Sequence, residues 1–474
     1  MARPRLLVLE RDEADDVHSN ALSLLGEVGV RLESKGVEKL LLDAGCALRD
    51  GRVLVPEELV REALAKTPRR IELYDRDGHH VATLGEEALV FNPGSAAIKL
   101  LDFGSSEPRT PTLEDLRRFV VLADALEGLQ AQSTALVPGD APVEVRDAVR
   151  LYVVLKYSRK PVVTGAFTVE NLPLMVEMLR AVREDYQERP FAIFDACPTP
   201  PLSWSTVTSH NVVDLARLGV PAEIVSMPGL LGTAPATVYG ALVQHHAEVL
   251  SGIVIAQLAR PGAPVIYGGS PTVIHPYHGT SLITAPEAAL VSLAYRDMAR
   301  YLDLPSHTYM ALSDAKSADY QAGAETAFTA ALAAAAGFDV VSGPGMLEFE
   351  SVQSMEKLVL DNEVCLLAKR LARGFARDSD SVNVVREVVL QKKGNFLAHK
   401  HTREAYRREI HLPRVWDVAS RARGTKNLLA WAHEEVERIL KEHEPPVLSG
   451  DRLERLDKVL SKLYERVGQS PPRV

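Results

Sequence analysis

Residues 265–272 read VIYGGSPT. An apolar, β-branched run opens the segment and stops at a tyrosine, two glycines, a serine and a proline. It is too short for a helix and is bounded by residues that break regular structure, so it reads as a buried strand ending in a bare turn. The unit recurs. ALVFNPGS (88–95), LQAQSTALVP (129–138), KPVVTGA (160–166), FAIFDACP (191–198), PAEIVSMP (221–228), SHTYMALSD (306–314) and DVVSGPGM (339–346) follow the same plan. Amphipathic helical patterns lie between them, from TLEDLRRFVVLADAL (112–126) to MEKLVLDNEVCLLAKRLARG (355–374). Strands alternating with helices imply parallel pairing, and eight such units in roughly 290 residues predict a (β/α)8 TIM barrel of the α/β class. A doubly wound open sheet is the alternative. It usually has fewer strands and often a GxGxxG after the first, which is absent.

The expected organisation is an N-terminal helical segment over 1–86, the barrel over 87–375 and a C-terminal helical extension over 376–474. AWAHEEVERILKEHEPP and RLERLDKVLSKLYERV are amphipathic and suit peripheral or oligomer-interface helices. The tail GQSPPRV (468–474) is expected to be unstructured.

The 474 residues carry 54 Lys and Arg against 63 Asp and Glu, a net charge of −9. That disfavours nucleic acid or an anionic membrane as the main partner. Cys46, Cys197 and Cys365 form no CxxC, which argues against a disulfide scaffold or a cysteine zinc site. MARPRLLVLERDEADD turns charged before any long apolar run, and the apolar stretches are too short to cross a bilayer. A soluble cytoplasmic protein is expected.

In a barrel the C-terminal strand ends share one rim, where the active site is built. Asp195 follows the buried run FAIF, so its carboxylate either faces a cation, serves as a base or is paired. QHHAEVL sets His245 and Glu248 on one helix face, but no third metal ligand is spaced for zinc, and no metal is expected. SDAKSADYQAGAE offers Lys316 as a Schiff-base lysine, although its acidic neighbours favour an ion-pair network. SGPGMLEFE has the form of a phosphate-gripping loop around Gly345 but lacks a basic residue. Glu348, Phe349 and Glu350 suit a cation instead. Together with the aromatics Phe91, Trp204, Tyr267 and Tyr309, these acids predict a cationic or neutral small substrate.

GALVQHHAEVLSGIVIAQLARPGAPVIYGGSPT, SDAKSADYQAGAE and GPGMLEFESVQSMEKLVLDNEV together resemble the trimethylamine methyltransferase (MttB) superfamily. So do LLGEVGVRLESKG, VPEELVREALAKTP and PTLEDLRRFVVLADALEGL nearer the N-terminus. The resemblance implies a (β/α)8 enzyme of one-carbon metabolism. Such an enzyme moves a methyl group from a methylated amine to the cobalt of a corrinoid (cobalamin type) carried by a separate protein. Founding members contain pyrrolysine, whereas this chain has only standard residues, which places it with members acting on glycine betaine and other quaternary amines. On this reading Asp195, His245 and Glu350 are the catalytic candidates. Phe91, Trp204, Tyr267, Tyr309 and Phe349 line the substrate, while Gly268, Gly269, Ser270 and Gly345 form a bare rim that the corrinoid approaches. The partners implied are a corrinoid protein, a small methylated amine and further copies of the chain. A lyase or aldolase using Lys316, and a non-catalytic binder of betaine-like solutes, are the competing functions.

Overall fold

The computed structural model describes residues 2–390 and 395–472. Each of the eight apolar runs contains a strand: β1 (Val90–Asn92), β2 (Gln132–Ser133), β3 (Val162–Thr164), β4 (Ala192–Ala196), β5 (Ala222–Ser226), β6 (Val265–Gly269), β7 (His307–Tyr309) and β8 (Val340–Ser342). These strands pair in parallel as two sheets, ordered β6-β5-β4-β3-β2 and β7-β8-β1. Backbone hydrogen bonds run between the two sheets on both sides. The Tyr267 amide donates to the Pro305 carbonyl at 2.9 Å, and the Gln130 and Ala131 amides donate to the Phe91 carbonyl at 2.9 and 3.2 Å.

A helix follows each strand: Leu113–Ala125, Arg146–Tyr157, Leu172–Val182, Thr206–Leu218, Val238–Ala259, Pro286–Tyr301, Tyr320–Ala336 and Met355–Arg373. Thr112, Ser205, Thr237, Asp319 and Ser354 cap five of them by accepting first-turn amides, which would otherwise lack partners.

Strand alternation then sorts the side chains. Val90, Ala131, Val163, Ile193, Ile266 and Val340 form one apolar layer with Ile71, Leu73 and Leu84. The last three belong to the antiparallel hairpin Ile71–Tyr74/His80–Leu84, which seals the N-terminal end of the strands. Burying each of its large aliphatic side chains contributes roughly 1.5–3 kcal/mol. Two residues further along each of these strands the same inner face turns polar or bare, at Asn92, Ser133, Gly165, Asp195, Gly268 and Ser342. The opposite face, with Phe91, Phe194, Ile224, Tyr267 and Val341, joins the main core beneath the helices.

The N-terminal segment is not all helix. Its helices Arg11–Glu27, Lys35–Asp43 and Glu57–Lys66 are interspersed with the hairpin Ala47–Arg49/Arg52–Leu54 and the sealing hairpin. The stretch YDRDGHH forms the latter's turn, tied by Asp75, whose Oδ1 accepts from the Asp77 and His79 amides at 2.9 Å each. The period-two alternation of IELY outweighs the helical character of its surroundings. At the other end, helices Leu428–Glu442 and Gly450–Arg466 bury Val436, Ile439, Leu456, Leu460 and Leu463 against their own chain. Residues 469–472 have no regular structure, and the final two of the predicted tail lie outside the described residues. Among the described residues no helix is long and apolar enough to cross a membrane.

The two glycines of β6 are bare for different reasons. A Cβ on Gly269 would collide with His245 Nε2 and lie 2.8 Å from Tyr295 Cε1, both on packed helices. A Cβ on Gly268 would stand 3.2 Å from His307 Nδ1, on the inner face. Gly269→Ala is therefore expected to cost ~1–3 kcal/mol by overpacking, seen as a lower urea midpoint with unchanged slope. Gly268→Ala is expected to cost clearly less.

Candidate active site

The polar layer of the inner face converges above the apolar one. Asp195 on β4 and Glu223 on β5 are cross-strand partners, so their carboxyls meet. Tyr309 on β7 donates its hydroxyl to Asp195 Oδ2 at 3.1 Å. His307, one alternation deeper on the same strand, sets Nδ1 3.6 Å from Glu223 Oε2 and Nε2 3.0 Å from Ser342 Oγ. Ser342 Oγ in turn donates to Asn92 Oδ1 at 3.1 Å. This leaves the His307 proton on Nε2, by the logic of the network. Glu223 and His307 are fully enclosed, whereas Asp195, Cys197 and Tyr309 are half-buried, so the chamber opens toward the C-terminal strand ends. Among the described residues, Asp195 Oδ1, both Glu223 oxygens and His307 Nδ1 have no hydrogen-bond partner.

Burial sets the protonation states. It raises Glu223 well above the carboxylate range, and the Asp195 charge adds to the rise. It also raises Asp195, but the contact with Glu223, the Tyr309 hydroxyl and the Arg150 charge oppose it. Both carboxyls are thus shifted upward, Glu223 the further, so Glu223 holds a proton more tightly than Asp195 does. Burial pushes His307 down to about 3, so it is neutral. Arg150, fully enclosed beside the chamber, is lowered by burial to about 10 and stays charged.

The loop after β8 brings a third acid. Glu348, Phe349 and Glu350 have φ of 46°, 57° and 65°. Three successive non-glycine residues in the left-handed region cost roughly 1–2 kcal/mol each. The turn is held by the Glu348 amide, which donates to the Ala315 carbonyl at 3.0 Å, and by Lys316 Nζ, 3.8 Å from the Phe349 ring centre. Its effect is to aim Glu350 at Ser270 Oγ, which donates to it at 3.4 Å. Burial first, then the charges of Asp314 and Asp195, push Glu350 up to about 8.

Asp195, Tyr309, Glu350, Ser270 and Gly268 thus come together, while other candidates do not join them. Phe91 and Tyr267 are on the outer face, the latter with its hydroxyl 2.8 Å from His246 Nδ1. Trp204 is buried beneath helix Val238–Ala259 and donates Nε1–H to Ser251 Oγ at 2.9 Å. His245 is outside the strands, 3.1 Å from the Gly268 carbonyl and stacked on Tyr295. Gly269 is part of that packing. The Gly345 amide donates to Asp361 Oδ2 at 2.8 Å, so a carboxylate already occupies the suspected phosphate loop. The Phe349 ring faces the chain's own Lys316, and Lys316 is exposed, bonded to the Asp314 carbonyl at 3.1 Å rather than enclosed as a Schiff-base lysine would be. Glu248, far from a metal ligand, accepts from the Leu202 amide, Ser226 and Gln244. Sequence reasoning missed Glu223 and His307. The signal for Glu223 was the one that marked Asp195, an acid inside a buried apolar run.

The profile of the trimethylamine methyltransferase (MTTB) family matches residues 2–468. The chain is 31% identical to the trimethylamine methyltransferase MttB of Methanosarcina barkeri, covering 95% of this chain and 94% of that one. It is 28% identical to the glycine betaine methyltransferase of Desulfitobacterium hafniense (strain Y51), covering 98% and 99%. Among solved structures, the monomethylamine methyltransferase of Methanosarcina barkeri superposes with a TM-score of 0.55 at 12% identity over 94% of this chain and 89% of that one, a likeness of fold. The chain belongs to the trimethylamine methyltransferase (MTTB) family.

Proposed function

We propose that the chain takes a methyl group from a quaternary or tertiary methylammonium compound, such as the trimethylamine or glycine betaine of its relatives' names, and passes it to a corrinoid carried by a separate protein. The observation that carries this reading is the half-open chamber of Asp195, Glu223, Glu350 and Tyr309, an acidic site for a small cation. We read β1 to β8 as one (β/α)8 barrel over 87–375, flanked by the segments 1–86 and 376–474. The parallel order, the single apolar layer and the hydrogen bonds between the two sheets support that reading.

When bound, the corrinoid supplies a strongly nucleophilic cobalt. The residues fit a group presented from outside. Phe167, Met227, Leu231, Tyr277 and Tyr320 follow C-terminal strand ends and are exposed, an apolar rim suited to a protein partner, whereas the deep end is closed by Glu223 and His307. Asp195, steadied by Tyr309, attracts the ammonium and orients a methyl group toward the mouth. As the C–N bond breaks, its electron pair returns to nitrogen and a neutral amine leaves, so a quaternary donor requires no proton. The positive charge fades during this step. A chamber with three full negative charges would favour the bound cation over the transition state. Keeping Glu223 protonated, and Glu350 partly so, limits that penalty.

The test is to mix the protein with chemically reduced cob(I)alamin, or its cognate corrinoid protein, and a panel of methylated amines. Methylcobalamin absorbance with at least one compound is expected. Binding without transfer to the cognate protein would mark a solute binder, and neither binding nor transfer would end the methylammonium reading. Asp195→Asn is expected to lower kcat/KM about 10- to 100-fold through the lost charge, measured in the same assay. Glu350 is neutral below about 8 and charged above it. Affinity for the cation should therefore rise with pH and level off past that value. Calorimetry across about pH 6 to 9 should show this, with the rise gone in Glu350→Gln.

A further inference from the structure

We propose that a cavity at the N-terminal end of the strands, between the first residues of the chain and helix Pro286–Tyr301, binds a phosphate group, as the free ion or on a small organic phosphate. It lies away from the chamber, and the proposal stands independently of the methylammonium reading.

The cavity has a volume of about 270 Å³, and its walls include Arg5, Glu87, Arg296, Arg300, Asp303 and Leu304. Glu87 precedes β1 and Leu304 precedes β7, which sets the cavity beside the sealing hairpin and not at the chamber mouth. Arg296 is only 4% exposed. Its Nε donates to the Gly337 carbonyl at 2.8 Å and so closes the end of helix Tyr320–Ala336. That structural duty uses one nitrogen. Among the described residues the two Nη groups have no hydrogen-bond partner, Arg296 forms no ion pair, and neither Nη is sealed from the cavity. Arginines this deeply buried are rarely left unpaired.

A second free cation faces the same space. The N-terminal residues are laid across the helix by the Val8 and Leu9 amides, which donate to Asp297 Oδ2 at 2.6 and 3.0 Å. Arg5, on this stretch, is exposed and has no hydrogen bond or ion pair through its side chain among the described residues. Arg300 is already engaged, donating to Asp297 Oδ1 and, at 2.8 Å, to the Ala336 carbonyl. The acids of the wall are matched as well. Glu87 Oε2 lies 2.9 Å from Arg3 Nη2, and Asp303 Oδ1 accepts from Arg70 Nη1 at 3.1 Å.

Two arginines therefore line one small cavity without an anion. A carboxylate would match one of them. A phosphate, with about two negative charges at neutral pH and three accepting oxygens, matches both. Leu7 and Leu304 add an apolar wall for a short carbon chain, and the volume is small for a nucleotide. A bound phosphate would join Arg5 to Arg296 and pin the N-terminal residues to the helix.

The test is calorimetry on the full chain in a chloride buffer with inorganic phosphate, glycerol 3-phosphate and, as a carboxylate control, acetate. At least one phosphate compound is expected to bind with a Kd of about 1 mM or below, and acetate more weakly. Arg296→Gln should weaken binding about tenfold or more, and the exposed Arg5→Gln about threefold. Arg5→Glu leaves every described hydrogen bond in place and should abolish binding, so the test survives a misfolded Arg296 variant. Arg403→Gln, on the exposed helix Lys400–Glu409, should change nothing. Tighter binding of glycerol 3-phosphate would assign an organic phosphate, and equal affinities the free ion. Binding of neither phosphate compound, or of acetate equally well, would overturn the proposal. So would binding that Arg5→Glu leaves intact, since the ion would then be adventitious and held elsewhere.

Discussion

Two carboxyls held opposite each other on adjacent strands, one fully enclosed and the other half-buried, disfavour carrying a charge at the same time. Asp195 and Glu223 are placed under that constraint by the register of β4 and β5, and much of the site follows from it. Burial gives Glu223 the firmer hold on a proton. A charge on Asp195 then needs a donor and a distant cation, which Tyr309 and Arg150 provide. His307, enclosed beside Glu223, is held neutral by burial and bonds Ser342, which in turn bonds Asn92. The chamber is acidic in composition yet moderate in charge, the combination that suits a cation about to lose its charge.

The loop at 348–350 has the clearest local conflict between backbone preference and position. Nothing in the sequence LEFE favours three left-handed residues, and the conformation is sustained from outside. The Ala315 carbonyl and Lys316, both in the loop after β7, hold it in place. That loop is ordered in turn by Glu325, which accepts from Ser313 Oγ at 2.6 Å and from the Asp314 amide at 2.8 Å. Strain near a site is retained where surrounding contacts over-determine it, and here the result is a third carboxyl facing Ser270.

How much of this was legible follows from the two periodicities. The eight strands were readable because short apolar runs punctuated by glycine and proline differ plainly from helical stretches. Asp195 and Tyr309 were readable as a polar and an aromatic residue near strand ends, and Glu350 as an acid in the loop after the eighth strand. Which way a side chain points was not. A parallel strand covered by helices is apolar on both faces, so FAIFDA gives no cue to whether odd or even positions face inward. Phe91 and Tyr267 were assigned to the substrate and turned out to face the helices, because a shift of one residue exchanges the faces. The sealing hairpin was missed because its alternation is short and one edge of it is exposed.

That hairpin also bears on the order of events. With Ile71, Leu73 and Leu84 filling the N-terminal end of the strands, the chamber formed by the described residues opens at the C-terminal end. On the proposed function, a small amine and a bulky protein must share that entrance. The amine has to enter before the partner covers the mouth, and the demethylated product leaves only after the partner has withdrawn. On that proposal, a seal built from three aliphatic side chains sets the order of binding and release in a reaction it never touches.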